Sequence, residues 1–222
     1  PCVKKAHDLN IAVVNEMEVA YHYINSPVKI IGVTGSNGKT TTVSLIYEVL
    51  KEANMPVKLG GNIGTPLSKI VLDLQANDIL LLEISDHQLI DMYDFKTDIS
   101  ILTNLCPTHL DYHGSYEAYK KTKKKIFAHH TKDNIAILNK ANYDSLELTK
   151  DIKSTKIYFN SEENYYTEEA IYIDKEKVIN TSDIILKGTH NYENILATYL
   201  VAKILNIDFK YVNTVLKRFK GV

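Results

Sequence analysis

Val28-Lys-Ile-Ile-Gly-Val-Thr-Gly-Ser-Asn-Gly-Lys-Thr40 decides the fold. An apolar run of strand length passes into a glycine-rich turn. Residues 40–54 follow, where Val43, Ile46, Tyr47 and Leu50 recur at the three-to-four spacing of a helix. Strand, turn and helix in that order are the parts of a phosphate-binding loop. Gly35, Ser36, Asn37 and Gly38 bring backbone N–H groups to an anion, and the helix start faces it. Lys39 reaches the outer phosphates and Thr40 offers a hydroxyl to a divalent cation, with Thr41 next in the first turn. The standard pattern G-x-x-x-x-G-K-S/T asks for glycine at position 33, where this chain has Val33.

Working outward, apolar runs of strand length alternate with helical periodicity. Short strands are expected over residues 57–59, 79–85, 98–104 and 134–139, and helices over 116–129 and 143–150. Between Lys156 and Leu186 the runs shorten, with Ile157–Phe159, Ala170–Asp174 and Lys177–Ile179 expected to form a small antiparallel subsheet. Two amphipathic helices are expected over 192–205 and 209–219. The predicted fold is α/β: a doubly wound, mostly parallel sheet flanked by helices, carrying the subsheet near 156–187. Residues 1–27 have only Ile11–Val14 as strand signal. They are expected to be the end of a preceding domain, with 28–222 as the nucleotide-binding domain.

Composition narrows the function classes. Net charge is −1, from 26 basic and 27 acidic side chains, so no global field favours nucleic acid or an anionic membrane. The 45% hydrophobic and 24% charged residues are globular values and exclude a disordered or coiled-coil chain. Two cysteines are too few for a disulfide framework and fit a cytoplasmic protein. Arg218 is the only arginine, so bidentate arginine clamps on phosphate are nearly absent and lysine or backbone N–H groups must hold it.

Glu83 closes the apolar run Ile79–Leu82, at the strand end where open α/β sheets bind ligands, and is a hard-oxygen ligand suited to Mg2+. In the lysine-rich run 120–125, Lys123 lies on the apolar stripe, about 40° from Tyr119 at about 100° per residue. It either extends its amine outward or is buried for chemistry. Asn191 and Asn194 share a face at a helix start, where they serve as caps or as contacts to a base edge. Cys106 reads as a small packing residue. His113, His129 and His130 read as loop or helix-end residues.

Gly35-Ser-Asn-Gly-Lys-Thr-Thr41 resembles the variant loop of the Mur ligases of peptidoglycan synthesis and their folylpolyglutamate synthase relatives. Gly60-Gly-Asn-Ile-Gly64 with Thr65-Pro66, Thr103-Asn104, His109-Leu-Asp111, Tyr119-x-x-x-Lys123 and Gly188-Thr-His-Asn-Tyr-Glu-Asn194 extend the match over nearly the whole chain from Val28. Leu82-Glu-Ile-Ser-Asp-His-Gln-Leu89 is similar to the Glu-Leu-Ser-Ser-Phe-Gln-Leu segment of the D-glutamate-adding branch. His87 replaces the phenylalanine and resembles the diaminopimelate- or lysine-adding branch, whereas Gly60–Gly64 argues for the D-glutamate branch.

The resemblance implies an ATP- and Mg2+-dependent amide ligase acting on UDP-N-acetylmuramoyl-L-alanine and D-glutamate, active as a monomer without nucleic-acid or membrane partners. It implies that Asn62 faces phosphates and substrate and that Thr40 and Glu83 hold one Mg2+. A carbamylated Lys123 would hold a second Mg2+ with His109, and Asn191 and Asn194 would contact adenine. Carbamylation needs a neutral amine, which desolvation favours. A nucleotide-switch module is the alternative from another class, and it has no need of the second metal pair.

Overall fold

The computed structural model describes residues 2–222. Two short helices, α1 (Cys2–Asp8) and α2 (Glu16–Tyr21), precede β1 (Lys29–Thr34) and α3 (Lys39–Glu52). Then come β2 (Val57–Gly61), α4 (Leu67–Ile70), β3 (Ile79–Glu83), α5 (Asp86–Ile90) and β4 (Ile99–Leu102). The chain continues through α6 (Leu110–His113), α7 (Tyr116–Lys124), β5 (Ile135–Asn139), α8 (Tyr143–Leu148) and β6 (Thr155–Phe159). It ends with β7 (Tyr165–Tyr166), β8 (Ala170–Ile173), β9 (Glu176–Asn180), α9 (Thr189–Ile204) and α10 (Phe209–Leu216).

Six strands form one sheet in the order β2-β3-β1-β4-β5-β6, every pair parallel. Helices cover both faces, which is why the strands read as continuous apolar runs. Ile31, Val33, Leu81 and Ile101 face the core shared with α3, α9 and α10, whereas Ile30, Leu80, Leu82 and Leu102 face the opposite core with Met17, Leu89, Tyr119 and Phe127. Helix α9 is buried nearly all round from Asn194 to Ala202 because α3, α10 and the second sheet enclose it.

The α/β expectation therefore holds, with one boundary moved. Ile157–Phe159, read as the first run of the antiparallel subsheet, lies in β6 and pairs parallel with β5. The subsheet is β7-β8-β9 alone. Thr155–Phe159 passes from exposed through half-buried to buried, as a partly covered edge strand does, and its apolar run does not say which sheet it joins. Ile11–Val14 forms no strand, and the expected helix over 116–129 passes into a 3-10 turn over Lys125–Phe127. Among the described residues no helix is long and apolar enough to cross a membrane.

Candidate active site

The C-terminal ends of β1, β3 and β4 lie side by side, and the site is built on them. Thr34 ends β1, and Gly35 to Gly38 lead into α3. Gly35 has φ +144° and Gly38 φ +80°, both left-handed. A Cβ at Gly35 would meet Thr103 Oγ1 at 2.0 Å, so these positions require glycine for space as well as conformation. Thr42 N–H is the first to return into the helix, to the Gly38 carbonyl, leaving the preceding N–H groups of α3 to face an anion.

The end of β4 braces the loop. The Ser36 N–H donates to the Asn104 carbonyl at 2.9 Å and the Asn37 N–H to Asn104 Oδ1 at 3.0 Å. Thr103 Oγ1 donates to the Asn37 carbonyl at 2.6 Å. Ser36 Oγ lies 2.8 Å from the hydroxyl of the fully buried Tyr119, and Asn37 Nδ2 donates to Cys106 Sγ at 3.3 Å. Lys39 Nζ donates to the Gly35 and Ser36 carbonyls, both at 3.0 Å, and so curls over the loop it serves.

Glu83 is 1% exposed at the end of β3. Its Oε2 accepts from Thr40 Oγ1 and its Oε1 from Asn62 Nδ2, both at 2.8 Å. The Asn62 N–H also donates to the Glu83 carbonyl at 2.8 Å, fixing the β2 end to the β3 end. A buried carboxylate beside a hydroxyl and an amide at the mouth of the loop is a set of hard oxygen donors, and these residues fit a Mg2+ ion bound with nucleotide phosphates.

Lys123 settles its two readings in favour of burial: it is 0% exposed. Its Nζ donates to Thr34 Oγ1 at 3.1 Å, pairs with Asp86 Oδ1 at 3.4 Å and lies 5.4 Å from the Tyr119 ring centre. Burial, and then the charge of Lys39, lower its pKa to about 8 against the pull of Asp86. Asp86 is 4% exposed and accepts from His113 Nε2 at 2.7 Å. Burial alone would raise its pKa, but the His113 bond and the Lys123 charge hold it down to about 2.

Other candidates fall differently. His109 is exposed, has left-handed backbone (φ +51°) and sets its ring 5.7 Å from that of His87. It bonds to neither Lys123 nor Asp86 among the described residues. Asn194 is turned to the loop, its Oδ1 accepting from Thr42 Oγ1 at 3.1 Å, while Asn191 Nδ2 donates back to the Lys187 carbonyl at 2.8 Å.

His113 ends α6 and His130 lies in the loop after the 3-10 turn, the helix-end and loop positions expected, but both side chains are buried. The His113 side chain is 3% exposed on Asp86. His130 is buried among Thr97, Ser100 and Ser154. Their hydrogen-bond partners lie on α5, on β4 and in loops distant in sequence, so no local pattern announces them. Asp86 was also missed. Its one visible signal was an acidic residue where the similar segment has serine.

The description "Mur ligase middle domain" matches residues 33–202. The chain is 41% identical over 227 residues to the UDP-N-acetylmuramoylalanine–D-glutamate ligase of Geobacillus sp. (strain WCH70), covering 100% of this chain and 50% of that protein. It is 40% identical over 224 residues to the same-named ligase of Oenococcus oeni, covering 99% of the chain and 51% of the relative. It thus spans about half the length of the curated relatives it matches. Among solved structures, a Neisseria meningitides UDP-N-acetylmuramate:L-alanyl-gamma-D-glutamyl-meso-diaminopimelate ligase superposes with TM-score 0.76 at 18% identity over 99% of this chain and 75% of that one, a likeness of fold. With the family description covering 170 of its 222 residues and the relatives matching it from end to end, the chain belongs to the Mur ligase family, in the part that family uses as its middle domain.

Proposed function

We propose that this chain is the ATP-binding part of an amide-bond ligase that joins D-glutamate to UDP-N-acetylmuramoyl-L-alanine, a cytoplasmic step of peptidoglycan precursor synthesis. The observation that carries the reading is Glu83 held between Thr40 and Asn62 at the mouth of the phosphate loop. The names of the relatives at about 40% identity support D-glutamate as the amino acid.

In this reading ATP is a substrate. Its terminal phosphoryl group passes to the carboxylate of UDP-N-acetylmuramoyl-L-alanine, and the amine of D-glutamate displaces phosphate from the acyl phosphate. Lys39 leaves the Gly35 and Ser36 carbonyls for the phosphates and offsets their charge. Gly35, Gly38, Thr40 and Thr41 cradle the phosphates through backbone N–H groups, Ser36 and Asn37, whose N–H groups are held by Asn104, shape the loop around them, and Asn62 orients the reacting end. Thr40 and Glu83 would hold Mg2+, which would supply charge neutralisation to the phosphates.

A carbamylated Lys123 with His109 is proposed for a second Mg2+. Burial and a pKa lowered to about 8 leave part of its amine neutral and support that modification. Asn191 and Asn194 are proposed for the adenine side, with residues 1–27 as the end of a uridine-binding domain. A monomer with no nucleic-acid or membrane partner completes the proposal.

The test is phosphate release by the protein of full relative length, offered UDP-N-acetylmuramoyl-L-alanine with D-glutamate, meso-diaminopimelate or L-lysine. Turnover with D-glutamate alone is expected. ATP binding without turnover on any of the three would overturn the ligase assignment and leave a nucleotide-binding module.

A further inference from the structure

Asp86 is a buried acidic group, linked to the phosphate loop through Lys123 and Thr34, that the reading above leaves without a task. It opens α5, three residues beyond Glu83, and its carboxylate faces two buried partners from the α6–α7 segment. One oxygen takes His113 Nε2 at 2.7 Å and the other lies 3.4 Å from Lys123 Nζ. The two side chains are 3% and 0% exposed, so this is a desolvated three-member cluster, unlike the solvated lysine pairs farther along α7. Lys123 in turn donates to Thr34, the last residue before the loop.

A desolvated carboxylate with two cationic or donor partners fixes their geometry, because breaking either contact strands a buried polar group. His113 closes α6, whose first turn begins at His109, so the bond to Asp86 also sets where that short helix sits.

We propose that Asp86 is a positioning residue: while the Lys123 amine is unmodified, Asp86 anchors it and, through His113, the His109-bearing turn against the phosphate loop, so that the divalent-cation side of the nucleotide site is set before ligand arrives. The proposal rests on the reading that this loop binds a magnesium nucleotide. Removal of an outer-shell carboxylate of this kind lowers metal affinity by about 10- to 100-fold.

The test uses the 222-residue chain and a fluorescent ATP analogue, with Mg2+ titrated at fixed nucleotide, for wild type, Asp86→Asn and His113→Gln. The same samples are followed by 15N NMR of the histidine side chains and by thermal melting. The Mg2+ concentration at half-maximal binding is expected to rise at least tenfold in Asp86→Asn and less in His113→Gln, with metal-free nucleotide binding changed less than threefold. The His113 Nε2–H signal of the wild type should shift in Asp86→Asn before any metal is added.

A variant that melts at lower temperature yet keeps the wild-type Mg2+ midpoint when assayed well below its melting point would reduce Asp86 to a packing group and overturn the proposal. If Asp86→Asn does not fold, His113→Gln carries the decision on the same midpoint. Wild type that binds no magnesium nucleotide at all would sink the nucleotide-site reading and this proposal together, an outcome distinct from an unchanged midpoint in a binding-competent chain.

Discussion

Thr40 Oγ1 donates to Glu83 Oε2 across 2.8 Å, tying the first turn of α3 to the end of β3. The two residues are 43 positions apart and come together because β1 and β3 are neighbours in the sheet. Glu83→Gln keeps the size of the group and an acceptor for Thr40 but removes its charge. We expect Mg2+-dependent binding of an ATP analogue to weaken at least tenfold, or ~1.4 kcal/mol, with the melting temperature within a few degrees of wild type. An unchanged Mg2+ response would remove Glu83 from the metal side of the site.

Gly38→Ala tests the loop's conformation. The residue has φ +80°, which costs an L residue ~1–2 kcal/mol, and its Cβ would lie 2.4 Å from Asn194 Oδ1. Gly114 has a similar φ of +75° with nothing within 4 Å of a Cβ. Gly114→Ala should therefore lose only the conformational ~1 kcal/mol and bind nucleotide normally, whereas Gly38→Ala should also lose most of its nucleotide affinity. Isothermal calorimetry with denaturant unfolding separates the two, and equal losses in both variants would mean that the contact with Asn194 does not matter.

Lys39→Met removes the one loop cation while keeping the length of the side chain. The carbonyls of Gly35 and Ser36 that it now satisfies lie at a partly solvated surface, so stability should move by less than ~1 kcal/mol. Nucleotide affinity should fall about 100-fold, since charge-assisted bonds to phosphate are the stronger kind. The drop should be larger for the triphosphate than for the diphosphate, measured by competition with a fluorescent analogue.

These tests also trace what the sequence made legible. The strand–loop–helix unit, the sheet strands and Glu83 could be read because each is a local pattern: a contiguous apolar run, a glycine turn, a charge at a strand end. Lys123 was half legible, since periodicity placed it on the apolar stripe without saying which way its amine turned. Asp86, His113 and His130 were not, because their partners lie 24 to 37 residues away and their burial arises only when the sheet closes. β6 was read into the wrong sheet for a related reason: the short apolar run of a half-covered edge strand does not name its partner.

His130 gives the stability of the fold a pH dependence of its own. Its Nε2 meets Thr97 Oγ1 at 2.9 Å and its Nδ1 meets Ser154 Oγ at 2.7 Å, in a pocket where burial, then Lys96 and His129, lower its pKa from 6.5 to about 4. The native ring stays neutral while the unfolded ring takes a proton near pH 6.5. The stability it contributes is thus whole above that value and declines as pH falls towards 4, by roughly 3 kcal/mol in all at ~1.4 kcal/mol per unit. Asp86, held down to about 2, loses its share only below the ordinary aspartate range, so the two windows separate. Urea unfolding of wild type and His130→Gln should show the variant less stable at pH 7.5, with the gap shrinking by about 2 kcal/mol at pH 4.5; a gap that stays constant across that range would mean that the ring titrates in the native protein as it does in the unfolded chain, and a gap that widens would mean that the native ring holds its proton.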